Sequence, residues 1–175
     1  LIKPPLGCAV VPGVRTALTR LVDMPATIYD LLEIEPGYAV QGQSLRASLA
    51  GDDAEIRDAV FAEVGSRAGE QAFKNLDVLA LPPDSFYAMQ SRAALQAHQK
   101  GTYAVTCRTH EHKYVRRGYS AEHELYDLRT DPGERRNMHG APGMAEVEAR
   151  MERRLLDFFM QTGDVLPHEQ DSRKV

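Results

Sequence analysis

The side chains that could carry chemistry in this 175-residue chain are few and scattered. Cys8 and Cys107 form no C-x-x-C pair and have no second pair nearby, so they read as isolated buried thiols rather than a metal or redox site. His110 and His112 alternate along a strand end and, with His98 or His123, supply nitrogens enough for zinc; histidines in an exposed turn are the plainer reading. Asp127, Asp131, Glu134 and Asn137 gather oxygens of the kind calcium prefers, yet Asp131-Pro132-Gly133 describes a tight β-turn. Lys113, Arg116 and Arg117 suit an anion, or simply a solvated strand face. The stretch Gly37 to Ser44 approaches the phosphate-cradling G-x-x-x-x-G-K-[ST] pattern, but Gln43 replaces the lysine and no clear strand precedes Gly37, so an ordinary connection is the better reading. Neither opposed carboxylates nor a Ser or Cys with a base and an orienting group occurs at useful spacing.

The elements that must position these residues follow from periodicity. After Asp23, read as an N-cap, Ile28, Leu31 and Leu32 recur with helical spacing, Pro25 falls in the first turn, and Pro36-Gly37 ends the helix. Residues 58–64 have the β-branched content of a strand. A long polar stretch follows, within which 85–99 carries a weak helical stripe. The period then becomes two. Tyr103, Val105 and Cys107 share a face, the 109–112 turn leads into 113–117, and a second turn leads into Glu124 to Leu128. Three strands thus meander antiparallel, with 58–64 as a fourth. Met144 to Gln161 is a strongly amphipathic helix that can cover one face, with Met144, Val147, Met151, Leu155, Phe158 and Phe159 on its apolar side. The fold class is α+β.

Composition narrows the partners. Twenty-one Lys+Arg against 25 Asp+Glu give a net charge of −4, with no basic run for phosphates to displace counterions from, so nucleic acid is not expected. No stretch approaches the roughly 18 apolar residues of a membrane span, so no membrane partner is expected either. With 43% hydrophobic residues the chain can fill a core without disulfide staples, and a soluble protein is expected, cytoplasmic or periplasmic. The opening Leu1 reads as the end of a strand with something preceding it.

Three segments together resemble the C-terminal part of the sulfatases, the formylglycine-dependent branch of the alkaline-phosphatase superfamily. Leu21-Val-Asp-Met-Pro-Ala-Thr-Ile-Tyr-Asp-Leu-Leu-Glu-Ile34, followed by Gly42-Gln-Ser-Leu45, looks like that family's VD-x-x-x-T-x-x-D-L-x-G-I and G-x-S-L helix and loop. Arg108-Thr and Lys113-Tyr-Val look like its R-T-x-x-x-K-Y hairpin. Glu124-Leu-Tyr-Asp-Leu-Arg-Thr-Asp-Pro-Gly-Glu-Arg-Arg-Asn-Met138 is similar to its E-L-Y-D-L-x-x-D-P-x-E-x-x-N-L stretch, and Asp164-Val-Leu-Pro167 to its usual ending. The order and separation of the segments agree over nearly the whole chain. Two departures, Glu33 for the usual glycine and Ala26 where proline is commoner, bear on local loop shape.

The resemblance implies residues 1–57 as the end of a large α/β domain, and residues 58–175 as a small α+β subdomain with a long loop at 65–102. It assigns Tyr126, Asp127, Asp131, Pro132, Glu134 and Asn137 to a structural motif. Sulfatases take their nucleophile, a formylglycine, from Cys or Ser in C/S-x-P/A-x-R, and neither cysteine nor any serine here fits. The family's calcium ligands and active-site lysine precede the matched region, and Lys3 is no convincing substitute. Calcium and formylglycine are therefore expected in a full-length parent and none in this chain, which alone is expected to be inactive. Its expected partners are the remainder of such a chain and, for the parent, a sulfated small molecule or glycan met at the rim by His98, Arg108 and His112. A face left uncovered would favour a homo-oligomer. The alternatives are a phosphonate monoester or phosphodiester hydrolase of the same superfamily, and a non-catalytic binding or scaffold module.

Overall fold

Alternating side chains between Tyr103 and Leu128 fold as the period-two pattern requires. In the computed structural model, which describes residues 2–4, 7–65, 82, 84–89 and 102–163, the strands are β1 (Val60–Val64), β2 (Ala104–Arg108), β3 (His112–Arg117) and β4 (Glu124–Asp127). They form one open antiparallel sheet in the order β1-β2-β3-β4. Register places Thr106, Val115 and Glu124 side by side, and likewise Arg108, Lys113 and Tyr126. Directly opposed residues share a face, so these six lie on one side, while Val105, Cys107, Tyr114 and Leu125 lie on the other. Those four are buried, and Tyr114 and Leu125 are among the largest wholly enclosed side chains.

The helices are α1 (Asp23–Leu31), the single turn α2 (Arg46–Leu49) and α3 (Ala145–Thr162). None of them is long and apolar enough to cross a membrane. The chain forms two compact units, residues 1–60 with 153–175, and residues 61–152. In the second unit the opening turns of α3 carry Met151, which is enclosed like Tyr114 and Leu125, and Glu152 accepts the Tyr114 hydroxyl at 2.8 Å. Burial, together with that bond to a carboxylate, pushes the Tyr114 phenol up to about 12, so it stays a donor throughout the ordinary pH range.

In the first unit the polar residues of α1 turn inward. Asp23 and Thr27 are buried, whereas Leu21, Val22, Ile28 and Leu32 are exposed. The loop after α1 explains the inversion. Gln43 N–H donates to Asp23 Oδ1 at 3.0 Å, Ser44 Oγ to Asp30 Oδ2 at 2.5 Å, and Leu45 N–H to Thr27 Oγ1 at 3.0 Å. Gly42 sits so close that a Cβ there would lie 2.0 Å from the Val22 carbonyl oxygen. Asp23, Thr27 and Asp30, spaced on one face of the helix, are thus the anchors of a clamp, and Gly42 is the one residue slim enough to close it. This loop approaches a helix backbone rather than a phosphate.

Three local expectations are revised. Asp23 does not cap α1: the cap position is Val22, and the Asp23 carboxylate instead accepts Arg20 N–H at 2.6 Å and both terminal nitrogens of Arg57 at 2.6 and 2.7 Å. A long-range ion pair outcompetes the local cap because Arg57 is itself nearly enclosed and needs the charge. α1 ends at Leu31, ahead of Pro36-Gly37, in a Schellman closure: Ile34 N–H bonds Tyr29 O and Glu33 N–H bonds Asp30 O. Glu33 holds the left-handed position, φ 55°, that glycine usually fills. The hairpin turn is shorter than expected, so His112 belongs to β3. Of the expected helix at 85–99, residues 86–89 make a helical turn; the rest, like the chain after residue 163, lies outside the described residues.

Candidate functional site

The segment from Glu124 to Asn137 is organised by three side chains that answer open backbone groups. Asn137 Oδ1 accepts the N–H of Leu125 at 3.0 Å and of His139 at 2.9 Å, while its amide donates to His123 O at 3.0 Å. A buried edge of β4 is thereby satisfied without a further strand. Asp131 Oδ2 accepts Arg135 and Arg136 N–H at 2.7 and 2.8 Å, and Asp131 O accepts Glu134 N–H at 3.1 Å, closing the turn over exposed Pro132. Asp127 Oδ1 accepts Arg129 N–H at 3.0 Å. These carboxylates are committed to the turn itself.

The turn delivers Glu134, at φ 54°, onto the face that carries Arg108 and Lys113. Arg108 reaches Glu134 at 3.4 Å, and Lys113 pairs with its other oxygen. Beside them Tyr126 donates to Glu124 Oε2 at 2.9 Å, and Arg117 binds Glu124 Oε1 through Nε at 3.1 Å and through Nη2. Burial raises the Tyr126 pKa, and its bond to Glu124 adds to that. The Glu124 carboxyl is raised by burial but lowered further by Arg117 and Tyr126, and it stays ionised.

Of the residues expected at a substrate rim, Arg108 is half-exposed but held by Glu134. His112 is buried, with burial lowering its pKa against the pull of Asp127 and Glu111, so its imidazole is neutral at pH 7 and does not reach solvent as a rim residue would. His98 lies outside the described residues. Among the described residues no three His, Cys, Asp or Glu side chains converge on a point that a metal could occupy. Cys107 is wholly enclosed. Among the described residues no side-chain cluster therefore fits calcium, and no cysteine or serine of the chain stands in the motif that yields formylglycine.

A depression of about 670 Å³ opens where the ends of β2, β3 and β4 meet the turn after β3. Tyr103, Tyr119, Tyr126, Arg117, Glu122 and Glu124 line it. No local pattern marks Tyr119 or Glu122 in the sequence; the turn after β3 carries both to the strand ends, beside Tyr103 just ahead of β2.

No protein-family model matches the chain, and no curated protein does. Solved structures do. The chain is similar to a phosphonate monoester hydrolase from Silicibacter pomeroyi, with 24% identity and TM-score 0.58, over 87% of this chain and 26% of that one. A phosphonate monoester hydrolase of Agrobacterium radiobacter matches at 20% identity and TM-score 0.57, over 85% of this chain and 28% of its own. A 2-O GAG sulfatase matches at 22% identity and TM-score 0.57, over 81% and 25%. The chain spans about a quarter of the length of the solved structures it matches, and its fold is that of the C-terminal part of sulfatases and their phosphonate-cleaving relatives.

Proposed function

We propose that this chain is the C-terminal part of a sulfatase, a sulfuric ester hydrolase of the alkaline-phosphatase superfamily, and that it supports and walls the substrate cleft. The observation that carries this reading is the asymmetry of coverage: more than four-fifths of this chain matches about a quarter of much longer hydrolases. The exposed apolar residues around α1 support it, since Leu21, Ile28 and Leu32 are well placed to be covered by more of such a protein. On this reading residues 1–57 finish the large domain and 58–175 form the small one. The nucleophile and calcium belong to the rest of the parent. Arg108 and the turn after it stand at the cleft edge, with buried His112 holding that turn by accepting Thr109 N–H at its carbonyl, 2.8 Å away.

The test is an assay of this chain, and of the full product of its gene, on an aryl sulfate with calcium. The full product is expected to turn over the sulfate ester and the 175-residue chain is not. Turnover by the chain alone, or failure of the full product on sulfate esters, overturns the proposal. The second reading, a phosphonate monoester hydrolase, is favoured by the two matched structures of that activity and predicts preference for a phosphonate monoester in the same assay. In the full product Arg108→Ala should raise KM about threefold or more with kcat little changed; an unchanged KM removes Arg108 from the rim.

A further inference from the structure

We infer that the depression lined by Tyr103, Tyr119 and Tyr126 is a binding site for an uncharged saccharide. At about 670 Å³ it falls within the roughly 300–1,000 Å³ typical of small-molecule sites. Its chemistry selects the ligand class. Three tyrosines offer apolar ring surface with a polar edge, which suits the mixed faces of a sugar ring. The free hydrogen-bonding groups include both donors and acceptors. Arg117 binds Glu124 through Nε and Nη2, leaving Nη1 with no hydrogen bond to a described residue. Ser120 Oγ accepts Glu122 N–H at 3.0 Å, which leaves its O–H to donate. The Glu122 carboxylate and the half-exposed Tyr119 hydroxyl have no partner among the described residues. Vicinal hydroxyls, each a donor and an acceptor, match such a set.

Charge argues against the anionic alternative. Arg117 is already balanced by Glu124, so Glu122 leaves the lining with one net negative charge, and a sulfate or phosphate group would enter against it. A simple amine gains from Glu122 but meets Arg117 as well. The inference rests on this pocket and not on the hydrolase reading, and either can fail without the other.

The chain has no tryptophan and seven tyrosines, so tyrosine fluorescence reports on ligands that cover a ring. The 175-residue chain is titrated with lactose, cellobiose, N-acetylglucosamine and chitobiose while amide NMR shifts are followed. At least one sugar should saturate with a Kd of about 1–10 mM, shifting the amides of Tyr119 to Glu122 and quenching tyrosine emission. Tyr119→Ala, at an exposed position that leaves the fold intact, should weaken binding about tenfold, and Glu122→Gln about threefold, with the spectrum otherwise unchanged. Inorganic sulfate should leave these amides unmoved. The proposal is overturned if none of the sugars shifts them at about 50 mM, if Tyr119→Ala binds as well as the parent, or if sulfate or ethylamine binds there in preference.

Discussion

Around α1 the chain buries its charges and displays its hydrocarbon; across the β2–β4 sheet it does the reverse. The Asp23–Arg57 pair and Thr27 are enclosed in the first unit, where Leu21 is 86% exposed. In the second, Val105, Cys107, Leu125 and Met151 are enclosed, and Arg108, Lys113, Glu134 and Arg117 form ion pairs on the open face. The sheet is stabilised mainly by apolar area, which is additive and tolerant of small losses. The clamp on α1 depends on a few directional bonds between desolvated groups, where loss of one partner leaves the other stranded. The two regions should therefore answer differently to the same kind of damage.

The largest effect is expected from Asp23→Ala, which leaves Arg57 enclosed without its counter-charge and should cost about 3–5 kcal/mol. The loss should appear in hydrogen exchange of the Gln43 and Leu45 amides, with the sheet amides retained. Acid should act on the same place. Burial raises the Asp23 carboxyl, but Arg57 and the N–H groups of Arg20 and Gln43 outweigh it and bring the folded-state pKa below the ordinary 3.8. Its contribution is thus complete above the unfolded-state value and disappears as pH falls through the folded one. A uniform loss of protection across both units in either experiment would show that they do not differ in this way.

A smaller and differently placed loss is expected from Asn137→Ala. Three hydrogen bonds go, and the buried Leu125 N–H is left unsatisfied, at a cost of about 1–3 kcal/mol concentrated on β4. Asn137→Asp keeps the acceptor oxygen and should recover part of that loss in urea melts. If it recovers none, the donation to His123 O matters more than the acceptance from Leu125.

The smallest effect separates two glutamates that share a backbone conformation. Glu33 and Glu134 both sit at positive φ. Glu33→Gly should stabilise by about 0.5–1 kcal/mol, because the left-handed penalty disappears and the Schellman closure remains. Glu134→Gly gains the same relief but releases Arg108 and Lys113, so its net effect should be neutral or destabilising. Equal changes in the two melting temperatures would mean that the Glu134 ion pairs contribute nothing measurable.

The resemblance drawn from the sequence took in the segments 21–45, 108–115 and 124–138, and the bonds among their residues show what those segments do locally. Asp23, Thr27, Asp30, Gly42, Ser44 and Leu45 meet in one clamp, and Asp131, Glu134 and Asn137 in one turn. The candidate pocket was not legible, because Tyr119 and Glu122 follow no period and lie in the turn after β3, well apart in sequence from Tyr103 just ahead of β2. The burial of His112 was not legible either: a shift of one residue in the strand boundary decides whether it belongs to the turn or to β3, and so whether it faces solvent or the core.

What the sequence determined by itself was the set of elements. Alternation from Tyr103 to Leu128 and the three-to-four spacing from Met144 onward reflect backbone geometry, and any compact fold must bury the stripes they create. What only the tertiary structure decided was the choice among partners for polar groups. Asp23 had a local cap within reach and took Arg57 instead, 34 positions away, because pairing two desolvated charges outweighs one backbone N–H bond, and no local pattern records where a distant guanidinium will lie.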